Sequence, residues 1–231
     1  MGIADNIPVI FEDNHLLVVE KPVNIPVQED SSGDPDLLSM LKDYVKHKYN
    51  KPGNVYLGLV HRLDRPVGGV MTFARTSKAA SRLSEQVRNH EFKKSYLAVV
   101  HGKPGENSGR LEHYLLKDAR TNTVKVVLSS DPGGKKAVLE YQVVGVNGKL
   151  SLVKVNLVTG RSHQIRVQFA AIGHPLFGDQ KYGAQLNSPG QQIALWSNLI
   201  SLRHPTTKEE MTFSSLPPDE HPWDLFALNK E

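Results

Sequence analysis

The stretch Tyr56-Leu57-Gly58-Leu59-Val60-His61-Arg62-Leu63-Asp64-Arg65-Pro66-Val67-Gly68-Gly69-Val70-Met71-Thr72-Phe73-Ala74 decides the fold. Residues 56–60 form an apolar run that reads as a strand, and residues 70–74 read as a second. Between them lies a charged knot, His61-Arg62-x-Asp64-Arg65, closed by Pro66 and then Gly68-Gly69. Proline fixes φ and glycine reaches backbone geometry closed to other residues, so the knot is a shaped loop. Asp64 is thereby held between two core strands with an arginine on either side. A nearby positive charge lowers a carboxyl pKa, so Arg62 and Arg65 are expected to keep Asp64 ionised. That state suits a nucleophile better than a proton donor. Taken alone, the pattern also fits a strand-end salt bridge.

Toward the N-terminus, residues 9–12 and 16–20 read as short strands joined by the Asp13-Asn14-His15 turn. Lys21-Pro22 ends the second strand, and Asn24 stands where a turn residue with positive φ fits. Asp34 before Pro35 reads as a helix start, with Leu37, Leu38, Leu41 and Val45 inward and an end near Tyr49. Beyond the knot, Ser77 is expected to cap a helix over 78–89, with Ala80, Leu83 and Val87 inward. Residues 93–102 read as a strand leaving a basic turn. Residues 103–136 are polar, with short strands expected at 111–116 and 123–128. The clearest hairpin is 137–146 with 150–158, because Asn147-Gly148 is the two-residue turn that type I′ geometry favours. After it the apolar period changes to that of a helix carrying Ile165, Phe169 and Ile172, stopped by Gly173 and Pro175. Short strands follow at 193–196, 200–202 and 209–213. The pattern predicts a single α+β domain over residues 1–231.

The hydrophobic content of 39% is ordinary for a globular chain, and no run of about 18 uncharged apolar residues offers a membrane span. Residues 1–6 have neither a basic n-region nor an apolar h-region, so no signal peptide is expected there, and Asn6 falls outside the myristoylation pattern. The chain has no cysteine, which excludes disulfides, thiolate catalysis and cysteine zinc sites and points to a cytoplasmic protein. The net charge of +4 is mild, but its distribution is not. Between His61 and Lys103, nine basic residues (Arg62, Arg65, Arg75, Lys78, Arg82, Arg88, Lys93, Lys94, Lys103) face three acids (Asp64, Glu85, Glu91). A basic stripe around the knot suggests a polyanionic partner such as nucleic acid, although a solvated helix face gives the same pattern.

Three stretches can carry chemistry: Asp64 with its arginines, Tyr96 after two lysines, and the arginine-bearing segment 161–166. No metal-ligand spacing joins His61, His163 and His174, so no metal is expected. Gly160-Arg161-Ser162-His163 is not the hydrolase elbow, and Gly68-Gly69 is not a phosphate loop. Together the three stretches resemble the RluA-type family of RNA pseudouridine synthases. His61-Arg62-Leu63-Asp64 matches the family's H-R-L-D motif. Lys94-Ser95-Tyr96-Leu97-Ala98 is similar to its K-x-Y-x-A stretch. Residues 160–167 and 173–183 are similar to G-R-T-H-Q-I-R-V and G-H-P-I-x-G-D-x-x-Y-G, and the motifs follow in the family's order over about residues 9–214. The chain departs from the pattern at Val67-Gly68, where the family commonly has a hydroxyl residue, at Asn24, where many members have glycine, and at Trp196-Ser197.

The resemblance implies a single pseudouridine synthase catalytic domain with its core at about 9–214, an α+β fold built on a mixed, mainly antiparallel sheet with flanking helices and loops, without an S4-type RNA-binding domain. It implies an activity that needs no cofactor, because the isomerisation gains and loses no atoms. It implies Asp64 as nucleophile, Arg166 as its ion-pair partner, and Tyr96 stacking on the uracil. It also implies that Arg62 enters the space a flipped base vacates and that Leu195 forms an apolar wall. Arg65, Arg161 and His163 join the RNA-binding set. The implied partner is RNA, a tRNA or ribosomal stem-loop, handled by a cytoplasmic monomer without an obligatory protein partner. Two other readings stay open on the residues alone. One is a non-catalytic RNA-binding protein or RNA-folding helper of the same fold, and the other is a hydrolase using Asp64 and His61.

Overall fold

A computed structural model describes residues 7–228, so the N-terminal signal reading at residues 1–6 lies outside the described residues. The chain gathers into two compact units. The first takes Met1–Lys93 and Ser197–Ser215, and the second takes Lys94–Trp196 and Leu216–Glu231. No linker-like composition marks this division.

In the first unit the strands are β1 (Val9–Glu12), β2 (Leu16–Lys21), β3 (Gly58–Leu59), β4 (Gly68–Ala74), β10 (Leu195–Arg203, which enters this unit at Ser197) and β11 (Glu210–Ser214). They lie in the order β1-β2-β4-β10, with β3 on β4 and β11 on β10. β2 and β4 pair antiparallel from Leu16 opposite Ala74 to Lys21 opposite Gly69. Every residue of β4 is buried, which explains why it reads as a continuous apolar run. Helix α1 (Leu37–Lys48) starts two residues later than Asp34-Pro35 implies. Its N-cap is Asp36, whose carboxylate accepts from Ser39 N–H at 3.0 Å. Met40 joins Leu37, Leu41 and Val45 in the core while Leu38 is only half-buried, because positions 37, 40, 41 and 45 share one helical face. Helix α2 (Ser77–Arg88), by contrast, is capped one residue earlier than expected. Thr76 Oγ1 accepts from Ala79 N–H at 3.1 Å, and Ser77 is the first helical residue. Leu16, Val18, Val70, Leu83, Ile200 and Phe213 are among the side chains that close the core here.

In the second unit the strands are β5 (Lys93–His101, in this unit from Lys94), β6 (Ser108–Asp118), β7 (Thr123–Val127), β8 (Lys135–Asn147) and β9 (Leu150–Leu157). They run in the order β5-β9-β8-β6-β7, each neighbouring pair antiparallel. The Asn147-Gly148 hairpin forms as read, with Asn147 opposite Leu150 and Gly148 at φ 56°. Helix α3 (Gln164–Ala171) buries all of its first six residues, polar ones included, so it is a core helix rather than the one-faced helix its apolar period implies. Gln164 and Gln168 are tolerated there because their amides donate to backbone carbonyls, Gln164 Nε2 to Val138 at 3.0 Å and Gln168 Nε2 to Leu111 at 3.1 Å. The α+β class holds. Among the described residues no helix is long and apolar enough to cross a membrane.

Candidate active site

The knot between β3 and β4 is built as a shaped loop. Of the apolar run 56–60 only Gly58–Leu59 pairs with β4, while Tyr56 is 48% exposed, so the ladder before the knot is shorter than its composition implies. His61 is buried and its Nε2 accepts the Thr72 N–H at 3.0 Å, which places its ring proton on Nδ1 and ties the knot to β4. Asp64 is half-buried, and its carbonyl accepts from Val67 N–H at 3.0 Å to close the turn. Gly69, at φ 111°, carries no side chain for a second reason. A Cβ there would lie 2.3 Å from the Ser197 carbonyl oxygen. Ser197 Oγ donates to Val70 O at 2.9 Å, so this departure from the family pattern supplies a strand contact of its own.

Beneath the loop sits a residue that sequence reasoning took only as a strand end. Lys21 is fully buried, and its Nζ donates to three backbone carbonyls, Pro22 at 2.9 Å, Arg65 at 3.0 Å and Val67 at 2.8 Å. Three acceptors match the three N–H groups of an ammonium, and two of them bracket the chain just after Asp64. Burial pulls the Lys21 pKa from 10.5 down to about 7. The Asp64 carboxylate opposes this shift and the Arg65 charge adds to it. Its position at the end of a strand whose other residues are almost all buried was the available signal.

The two arginines of the knot diverge. Arg65 turns away to the 24–34 segment, with Nε donating to Asn24 O at 3.2 Å and Nη1 to Ser32 Oγ at 3.1 Å. It pairs with Asp34, holding that carboxyl below the usual range, and lies 4.0 Å from Asp30. Asn24 has φ 64°, the left-handed geometry its place in the turn implied. Arg62 is exposed, with Nη1 3.4 Å from Gln28 Oε1.

In the second unit Tyr96 is buried on β5 opposite Val155, and Leu195 is buried at the start of β10. Lys94 is half-buried, burial lowers its pKa, and its Nζ lies 3.1 Å from where a Cβ on Gly160 would stand. Arg161 is exposed and donates from Nε to Lys136 O at 3.0 Å. His163 precedes α3 in the left-handed conformation (φ 51°), and its Nδ1 is 2.6 Å from the Tyr182 hydroxyl. Arg166 projects from α3 and makes a two-point pair with Asp179, Nε to Oδ2 at 2.8 Å and Nη2 to Oδ1 at 2.9 Å. Its guanidinium carbon lies 5.2 Å from the centroid of the Tyr182 ring. Asp179 and Tyr182 had no role in the sequence reading, although both stand in the quoted G-D-x-x-Y-G pattern. Within this unit the structure therefore brings His163 and Arg166 together around Tyr182, while the exposed Arg161 side chain reaches the Lys136 carbonyl.

Comparison with known proteins identifies the family. The family model for RNA pseudouridylate synthase matches residues 15–171, a span that takes in the Asp64 loop, β5 and α3. The uncharacterized RNA pseudouridine synthase YhcT of Bacillus subtilis is 36% identical over 203 residues, covering 87% of this chain and 65% of that protein. Ribosomal large subunit pseudouridine synthase D of Zymomonas mobilis is 33% identical over 232 residues, covering 96% of this chain and 71% of that protein. Among solved structures, human RNA pseudouridylate synthase domain containing 1 shares the fold with a TM-score of 0.75 at 22% identity, covering 98% of this chain and 89% of that one. The chain belongs to the RNA pseudouridylate synthase family, enzymes that isomerise uridine within RNA.

Proposed function

We propose that this chain converts uridine to pseudouridine in a structured RNA, with Asp64 as the group that starts the reaction. The C1′–N1 glycosidic bond breaks, C1′ joins C5 of the same base, and the C5 proton leaves. Asp64 acts by attacking C1′, by adding to C6, or by promoting loss of the C2′ proton; each is within reach of one ionised carboxylate. Arg166 is its ion-pair partner in this reading, and Tyr96 stacks on the uracil and takes the C5 proton. Leu195 walls the base, and Arg62 enters the space left when the nucleotide flips out of its stack, a step that costs a few kcal/mol. Arg65, Arg161 and His163 serve the RNA. We take both compact units as parts of one catalytic domain, because the family match runs through residues of each.

The observation that supports this reading best is the loop itself. Asp64, in its H-R-L-D setting, is half-buried on a segment whose backbone a buried lysine grips from beneath. Binding RNA requires no such fixed carboxylate. The target is read as a stem-loop, since accessible uridines lie in loops and bulges. Two relatives named for the ribosomal large subunit, from Zymomonas mobilis and Haemophilus influenzae, favour ribosomal RNA over tRNA. The protein is read as a cytoplasmic monomer, which size-exclusion chromatography tests. Asp64→Asn is expected to retain RNA binding and to form no pseudouridine in carbodiimide primer extension. Modification by that variant would remove Asp64 from the mechanism. Pseudouridine mapping across total RNA with and without the protein identifies the target.

A further inference from the structure

We propose that Asp179 is a positioning residue for the isomerisation, acting by fixing the orientation of Arg166. The inference rests on the reading above that Arg166 serves the reaction. An arginine side chain has four rotatable bonds and five N–H donors, so by itself it points nowhere in particular. Here both of its remaining freedoms are removed. The Nε and Nη2 edge is held in plane by the two oxygens of Asp179, at 2.8 and 2.9 Å, and the face lies against the Tyr182 ring.

The carboxylate is itself immobilised. The Asp179 side chain is 0% exposed, and its Oδ1 also accepts the Lys181 N–H at 3.0 Å and the Tyr182 N–H at 3.2 Å. The turn that carries it is closed by Gly183 N–H to Asp179 O at 2.9 Å and by Asn187 Nδ2 to the same oxygen at 3.3 Å. Gly178, just before it, has φ 77° and packs so tightly that a Cβ would stand 2.1 Å from the Gln192 carbonyl oxygen. Tyr182 is fixed at its other end. Its hydroxyl accepts the Val124 N–H at 2.9 Å and lies 2.6 Å from His163 Nδ1. A pair whose only task was to hold α3 would need none of this, because a buried ion pair is no better at that than apolar packing. Ile165, Val167 and Phe169 already anchor the helix.

The test is single-turnover and steady-state kinetics by tritium release from [5-³H]uridine-labelled RNA. The substrate is the unmodified large-subunit ribosomal transcript or pooled tRNA, whichever the wild-type chain turns over. A guanidinium displaced by about 1 Å is expected to lower kcat about 10²-fold in Asp179→Asn while KM stays within about threefold. In an Arg166→Ala background, Asp179→Asn is expected to add almost nothing, since both changes remove one device. Asp179→Glu keeps the charge but shifts the carboxylate by one methylene, and covers the case in which the asparagine variant does not fold. With its circular dichroism unchanged, it should still lose kcat about tenfold or more at constant KM. Wild-type kcat in Asp179→Glu, or losses that add in the double variant, would overturn the proposal. Wild-type kcat in Arg166→Ala would overturn the underlying reading of Arg166 as well, so the two failures are told apart.

Discussion

Lys21 in the first unit and Arg166 in the second are both buried cations, but their partners differ in kind. Lys21 is held by three backbone carbonyls, which satisfy its N–H groups without cancelling its charge. Arg166 is met by the Asp179 carboxylate, which does both. The consequence is that the first site is exposed to pH. A lysine whose charge is only partly compensated in a dry site gives up its proton more easily, and burial duly draws Lys21 to about 7. The loop that carries Asp64 is therefore anchored by a group that titrates near neutrality.

The strongest way to break this comparison is at Gly69, the register partner of Lys21. Gly69→Ala sets a Cβ into the Ser197 carbonyl at a φ that alanine resists, and should lower stability in urea by about 3 kcal/mol or more. Lys21→Met comes next. It leaves three buried carbonyls without their donor, set against relief from burying an amine, and is expected to cost about 2 kcal/mol in the same assay. The pH dependence sharpens the contrast further. Lys21 loses its proton near 7 in the folded chain and near its ordinary 10.5 when unfolded. Between those values the unfolded chain holds the extra proton, so this group makes stability rise with pH across that window. Urea titrations from about pH 6 to 10 should show the rise in the wild type and its loss in Lys21→Met. The smallest effect is expected at Arg65, whose pairs with Asp34 and Asp30 are exposed and screened. Arg65→Ala should barely move the thermal midpoint. If Arg65 also meets a phosphate, the slope of log affinity against log salt falls by about 1 in that variant, and otherwise it stays unchanged.

Much of this was legible in the sequence, for physical reasons that can be named. The Asn147-Gly148 hairpin and the Gly173 stop were readable because turn chemistry is local. The helix starts at Asp36 and Thr76 were misplaced by one or two residues because Asp34, Asp36, Thr76 and Ser77 are all competent caps, and tertiary packing chooses between neighbours. The Asp64 loop was readable as a shaped loop, but its anchor was not. Nothing in a lysine before a proline says that its amine turns inward to three carbonyls. Arg65 shows a different limit. Adjacency in sequence sets its charge beside Asp64, but only the fold shows its guanidinium bonded to the 24–34 segment. Asp179 was hidden because its partner lies 13 residues away on another element.

The contact between Gly69 and Ser197 carries a consequence for the timing of assembly. Ser197 Oγ reaches back across 127 residues to Val70, and its backbone fills the space that a side chain on Gly69 would need. The strand that completes the Asp64 loop therefore leaves the ribosome 127 residues after Val70 does. Until then a growing chain holds every residue of the H-R-L-D motif, yet lacks the wall against which that motif takes its shape.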